Sequence, residues 1–143
     1  RVAGKEVVLT TTNGTKCIEM AKMAHQVVIG SFLNLEALIK HLKNSQRDVV
    51  LFCAGWKDRV NLEDSLFAGA VAASYPVRDC DDATLMARDA FELAKDNIYE
   101  TLQNSNHFKR LASKGVTKDI AYCCEVNVLK IVPVLKEGKL VVA

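Results

Sequence analysis

The chain has 143 residues, half of them hydrophobic, which suffices for one buried core and a single domain over residues 1–143. Its 19 basic and 17 acidic residues are interspersed and leave a net charge of +2, so there is no electrostatic footprint for DNA or RNA. Its apolar runs are short, VVLFCA at 49–54 being typical, and none approaches the roughly twenty residues that cross a bilayer.

EVVLTT at 6–11 reads as a buried strand, TNG breaks it, and Ile18, Met20, Ala21, Met23 and Ala24 give the next segment a helical apolar side. QVVIG at 26–30 reads as a second strand, and SFLN leads into LEALIKHLKN, where Leu35, Leu38, Ile39 and Leu42 recur at helical intervals. DVVLFCA at 48–54 is a third strand, followed by the polar loop GWKDRV and a helix over LEDSLFAGAVAAS. YPVRDCDD at 75–82 is a connector before one long helical stripe from Ala83 to Leu102. NSNHFKRLASKG then predicts a capped, shorter helix ending at Gly115, and TKDIAYCCE another. Near the end, Glu137-Gly138 between two strand-like runs predicts a tight hairpin.

Three strand-to-helix units in succession, each strand an unbroken apolar run, predict an α/β fold: a three-layer α/β/α arrangement on a mostly parallel, mixed sheet closed by the C-terminal hairpin. The five cysteines are odd in number and lack C-x-x-C or zinc-ligand spacing. They read as reduced, mostly buried thiols, and with no secretory leader in view the expected compartment is the cytoplasm.

In such a fold the loops after the strands converge on one crevice. The first loop holds Thr12, Asn13, Gly14 and Thr15 at a helix N-terminus, where unpaired backbone N–H groups stabilise a phosphate or carboxylate. It matches neither G-x-x-x-x-G-K-[ST] nor G-x-G-x-x-G, and a plain helix cap by Thr12 or Asn13 accounts for it equally well. The second loop offers Ser31 and Asn34, with capping as the even alternative. The third carries Lys57, Arg59, Asn61, Glu63 and Asp64. Asn61 and Asp64 have capping spacing, and first-turn acids complement the helix dipole. The same two carboxylates, beside Lys57 and Arg59, suit a Mg²⁺ ion shared with a phosphate.

Cys53 and Arg59 also bracket five residues between a strand and a helix, the spacing of phosphatases that form a phosphocysteine. Phe52 stands where those enzymes usually carry His, so a buried strand-terminal thiol is the preferred reading.

TTTNGTK at 10–16, SFLN at 31–34, CAGWKDRVNLEDSLFAGA at 53–70 and DIAYCCEVNVLKIVPVLKEG at 119–138 together resemble the ComB-like 2-phosphosulfolactate phosphatases, in order over nearly the whole chain. The resemblance implies Mg²⁺-dependent hydrolysis of 2-phospho-3-sulfolactate to 3-sulfolactate and phosphate, a step of coenzyme M biosynthesis, in an α/β protein. It implies Arg59, Glu63 and Asp64 as catalytic, with Glu63 and Asp64 on the metal. Thr12, Asn13, Gly14, Thr15, Ser31, Asn34 and Gly55 are implied at the substrate, and Lys57 is available as a further cation for its several negative groups. A water would attack phosphorus, with charge stabilised by the first loop and Arg59.

This sequence departs from the family in four ways. It has no counterpart to a further segment at the family's front, whose loop carries an acid and an arginine, so it is expected to be a fragment, completed by that segment or by a homo-oligomer. Trp56 replaces a smaller residue, and Asn127 stands where Asp is common. His107 in SNHFKRL matches the family's S-x-H-G segment with Phe108 in place of Gly; a lone His near a helix start caps or packs more often than it gives a proton. Two rival readings remain at this point: a non-catalytic module for small anions or assembly, and a phosphocysteine enzyme using Cys53 and Arg59.

Overall fold

The structure is a computed structural model describing residues 2–143. The order of elements follows from caps and apolar stripes. Helix α1 (Gly14–Ala21) starts where the sequence turns after TTTN, and α2 (Leu35–Ser45) ends in a left-handed Gln46. Helix α3 (Leu62–Ala72) buries Leu66, Ala68, Gly69, Ala70, Val71 and Ala72, nearly its whole second half. A helix apolar on all sides belongs in the middle of a domain, and α3 sits there.

Helix α4 (Asp82–Ala94) is capped by Asp81, whose carboxylate accepts from Thr84 N at 2.8 Å; hydrogen bonding from Thr84, its side chain first and its backbone second, holds the carboxyl below its ordinary range. The long stripe predicted from Ala83 to Leu102 is not one helix. Lys95, Asp96 and Asn97 interrupt it, and a new helix α5 (Ile98–Gln103) begins. Asn97 N turns back onto Ala94 O at 2.9 Å. Asp and Asn favour such local turns over a helix interior, and the bend lets both Ala94 and Ile98 enter the core. Helix α6 (Asn106–Ala112) is capped by Ser105, whose hydroxyl accepts from Phe108 N at 3.0 Å, and α7 (Lys118–Cys123) follows a positive-φ Gly115.

The predicted hairpin forms: β1 (Pro133–Lys136) pairs antiparallel with β2 (Lys139–Val142), and Glu137 and Gly138 both adopt positive φ in the turn. The helix-plus-sheet character expected of the chain is therefore present, but this hairpin is the one ladder among the described residues. Of the three predicted parallel strands, 26–30 lies beside β1 in the antiparallel sense. Ile29 N bonds Pro133 O and Leu135 N bonds Val27 O, both at 2.9 Å, around the bridge Val28–Val134. Residues 6–11 and 48–54 form no ladder, with Val8 95% and Val50 87% exposed. An apolar run is only strand-competent; it becomes a strand where a neighbour presents its own N–H and C=O groups.

Helix α3 divides the core in two. Leu66 and Ala70 pack with Phe32, Ala94, Ile98 and Leu102, while Val71 packs with Leu38, Val132 and Val134 from α2 and the hairpin side. Phe32, in a short 3-10 turn before α2, meets Phe67 edge-on with ring centres 5.5 Å apart. Arg88 of α4 donates to Ala72 O at 3.3 Å and Tyr75 O at 2.8 Å, closing the carbonyl end of α3 with a cation.

Asn34 ties the two ends of the fold. It is 4% exposed; its amide donates to Ile29 O at 3.3 Å and to Ile131 O at 2.9 Å, and its oxygen accepts from Ser31 N at 2.9 Å and Ser31 Oγ at 3.4 Å. Asn127, in the left-handed region that Asn tolerates, accepts from Glu36 N at 2.7 Å and so caps α2. Asn34→Ala is expected to cost about 2 kcal/mol by leaving buried carbonyls unpaired, read as a lower urea midpoint at unchanged slope. A midpoint equal to that of the parent would show that these bonds carry no net stability.

Candidate active site at the start of helix α3

Two loops and one helix meet at the N-terminus of α3. The first loop is shaped by Thr11, not by Thr12 or Asn13: Thr11 Oγ1 accepts from Thr15 N at 3.0 Å, and the Thr15 hydroxyl donates to Thr11 O at 3.1 Å. This leaves the Asn13 side chain free to reach across the sequence, and its Nδ2 donates to Gly55 O at 2.7 Å. Gly55 N in turn donates to Asp64 Oδ2 at 2.6 Å. One continuous path, Asn13 to Gly55 to Asp64, thus joins the first loop, the third loop and the first turn of α3. Thr12 stays exposed, and Gly14 lies close against Thr11, where an added Cβ would stand 3.1 Å from the hydroxyl.

Gly55 is the pivot of that path. Its φ is +62, and a Cβ there would stand 2.5 Å from Arg59 O. Trp56 and Arg59 exchange backbone bonds of 3.0 and 3.1 Å across Lys57 and Asp58, both at positive φ, 52 and 56. Such a two-residue turn favours Asn-Gly, and non-glycine residues in it carry strain of roughly 1 kcal/mol or more each. Lys57 lies over the Trp56 ring, with Nζ 4.6 Å from its centre, while the Arg59 side chain stays exposed.

Helix α6 forms the remaining wall. His107 Nδ1 lies 2.9 Å from Glu63 Oε1, close enough for an ion pair though not aligned as a hydrogen bond. Arg110 lies three residues further along the same helical face, and its guanidinium carbon is 4.9 Å from the Trp56 ring centre. The sequence reading did not single out Arg110. The signal was its spacing from His107 in SNHFKRL, which puts both on one side of the predicted helix.

The expected site residues therefore divide. Asn13, Gly55, Lys57, Glu63 and Asp64 come together, with Gly14 and Thr15 on the bonded first loop and Arg59 at the base of the tight turn. No hydrogen bond joins Ser31 or Asn34 to this cluster: the two donors and the oxygen of Asn34 are bonded to Ile29, Ile131 and Ser31. The two cavities found elsewhere, of about 410 Å³ beside α5 and α7 and about 460 Å³ between α1 and the hairpin turn, share no lining residue with this cluster. The cluster is an open shelf.

Cys53 lies in the same neighbourhood, but its thiol is pushed up by desolvation first, then by the Asp64 carboxylate and by Cys17. A phosphocysteine mechanism needs the thiolate favoured, so this environment works against a nucleophilic Cys53. Among the described residues no three His, Cys, Asp or Glu side chains stand close enough to cage a metal ion by themselves. Asp64 nonetheless has the donor chemistry for Mg²⁺: a hard oxygen ligand, one oxygen fixed by Gly55 N and the other without a hydrogen bond among the described residues. Mg²⁺ usually takes only one or two carboxylates and completes its shell with water and phosphate oxygens.

The start of α3 thus gathers two carboxylates, a histidine and the cations around Trp56 in one helix-and-sheet domain. The family model for 2-phosphosulpholactate phosphatase matches residues 1–138, and the chain belongs to that family. It is 41% identical over 138 residues to a probable 2-phosphosulfolactate phosphatase of Thermotoga petrophila and 40% identical to that of Thermotoga maritima, covering 96% of this chain in each case. A protein of the same name from Caldanaerobacter subterraneus is 33% identical over 141 residues. The chain spans about 60% of the length of these relatives. No helix among the described residues is long and apolar enough to cross a membrane.

Proposed function

We propose that this domain is the phosphate-handling part of a phosphoric monoester hydrolase that converts 2-phospho-3-sulfolactate to 3-sulfolactate and inorganic phosphate, the reaction for which its relatives are named. The observation that carries the reading is the bonded path from Asn13 through Gly55 to Asp64, which fixes a carboxylate where the first loop meets α3. Asp64, with Glu63 beside it, would hold Mg²⁺, which when bound neutralises phosphate oxygens and lowers the pKa of a coordinated water. The α3 and first-loop amides, with Arg59, stabilise the equatorial oxygens as charge moves toward the leaving oxygen. His107, paired with Glu63, would give that oxygen its proton. The product would feed coenzyme M biosynthesis in the cytoplasm, in keeping with five free cysteines.

The exposed apolar segments 6–11 and 48–54 support a larger architecture for the assembled protein. In it they enter a mostly parallel mixed sheet of a three-layer domain, covered by chain equivalent to the unmatched part of the relatives or by a second copy.

Phosphate release from 2-phospho-3-sulfolactate tests the reading. Turnover is expected with millimolar Mg²⁺ and a loss of about a hundredfold or more after chelation, restored by added Mg²⁺. No phosphate release at saturating Mg²⁺ would leave the domain a binding module, and release untouched by chelator would remove the metal from the mechanism.

A further inference from the structure

Two cations share one indole. Lys57 Nζ and the Arg110 guanidinium carbon lie 4.6 and 4.9 Å from the Trp56 ring centre, and neither forms an ion pair among the described residues. Arg110 Nε is also shut off from solvent without a hydrogen-bond partner. A guanidinium stripped of water on one edge and set near a second positive charge is costly unless an anion completes it. Stacking on Trp56 offsets only part of that cost. The ion pair of this cluster among the described residues joins Glu63 to His107, and neither cation on the indole has a carboxylate paired with it.

We infer that Arg110, with Lys57 and on the platform of Trp56, is the specificity site for a second oxyanion of the substrate, the sulfonate or carboxylate at the end away from the reacting phosphate. This rests on the phosphoester reading of the adjoining shelf. The guanidinium fork presents paired N–H groups that match a two-oxygen edge, and its weak hydration suits a large, diffuse anion. Lys57 adds a point charge from a strained turn that fixes where its backbone stands. The division of labour is spatial: amides and carboxylates at the start of α3 take the phosphoryl group, and the Trp56 platform takes the rest.

Trp56 is the single tryptophan of the chain, so its fluorescence reports this site directly. Titration of the purified chain with 3-sulfolactate is expected to give a saturable change in emission, and Arg110→Gln to weaken it roughly ten- to a hundredfold. Titration with inorganic phosphate, followed by competition, is expected to differ less than about threefold between the two proteins, because phosphate occupies the α3 end. Lys57→Gln, on an exposed turn, is expected to weaken sulfolactate by a smaller factor and guards against a folding defect in the first variant. Ethanesulfonate against lactate identifies which end of the molecule is read. Sulfolactate binding of parent strength in both variants, or no response of Trp56 in the parent, overturns the inference. Phosphate release is scored separately: absent turnover with intact, Arg110-dependent sulfolactate binding rejects the hydrolase reading and leaves the inference standing.

Discussion

Asp64→Asn is expected to lower the rate of phosphate release by about two to three orders of magnitude while the protein stays folded, the loss typical when one preorganised electrostatic partner of a transition state is removed. The amide keeps an oxygen that accepts from Gly55 N, so the loop retains its anchor, and what disappears is the charge. The same substitution has a second readout that needs no turnover. Asp64 and Cys17 help push the Cys53 thiol up, desolvation being the larger cause. Without the carboxylate the thiolate is less disfavoured, so the pH profile of Cys53 modification by a thiol reagent is expected to move to lower pH. Comparable phosphate release in the variant would remove Asp64 from catalysis, and an unmoved thiol profile would show that Asp64 and Cys53 are not neighbours.

Gly69→Ala carries the largest expected loss of stability. Helices α3 and α4 meet at Gly69, where an added Cβ would stand 2.0 Å from Ala87 O and 2.8 Å from Phe91 Cβ. Backbone is on the other side of that contact, so no rotamer change relieves it and the helices must separate, opening the core around Leu66 and Ala70. The expected cost is about 3 kcal/mol, at the upper end of ordinary overpacking. That is a large share of the 5–15 kcal/mol of a typical domain and corresponds to a fall of roughly 10 °C in Tm. Gly115→Ala is the control: its φ of +75 is the only obstacle, with no atom within 4 Å of the added carbon, and about 1 kcal/mol is expected there. Equal melting temperatures for the two variants would mean that the α3–α4 contact is not packed this closely.

Helices were legible because their signals are local. Ser105 before NHFKRL, Asp81 before DATL and the apolar stripe of LEALIKHL each specify a start or a face within a few residues, and α6, α4 and α2 begin where those signals put them. The turn at Glu137-Gly138 was equally local. The break between α4 and α5 was not: the apolar stripe runs through it, and only the competing demand to bury both Ala94 and Ile98 shows why Lys95 to Asn97 leave the helix.

The amino-acid sequence by itself determined the helical elements, the hairpin, the family, and which loops carry hydroxyls, amides and carboxylates, because each of these rests on spacing along the chain. Tertiary structure alone decided what the polar groups do. It spends Asn34 on four hydrogen bonds, three of them to backbone, sends Asn13 to Gly55 instead of capping α1, and brings His107 and Arg110 from a distant helix to Glu63 and Trp56. It also decided that segment 26–30 runs antiparallel to β1. The physical reason is common to all four: a hydrogen bond or a charge pair is defined by its partner, and a partner 42 or 97 residues away leaves no mark on local pattern.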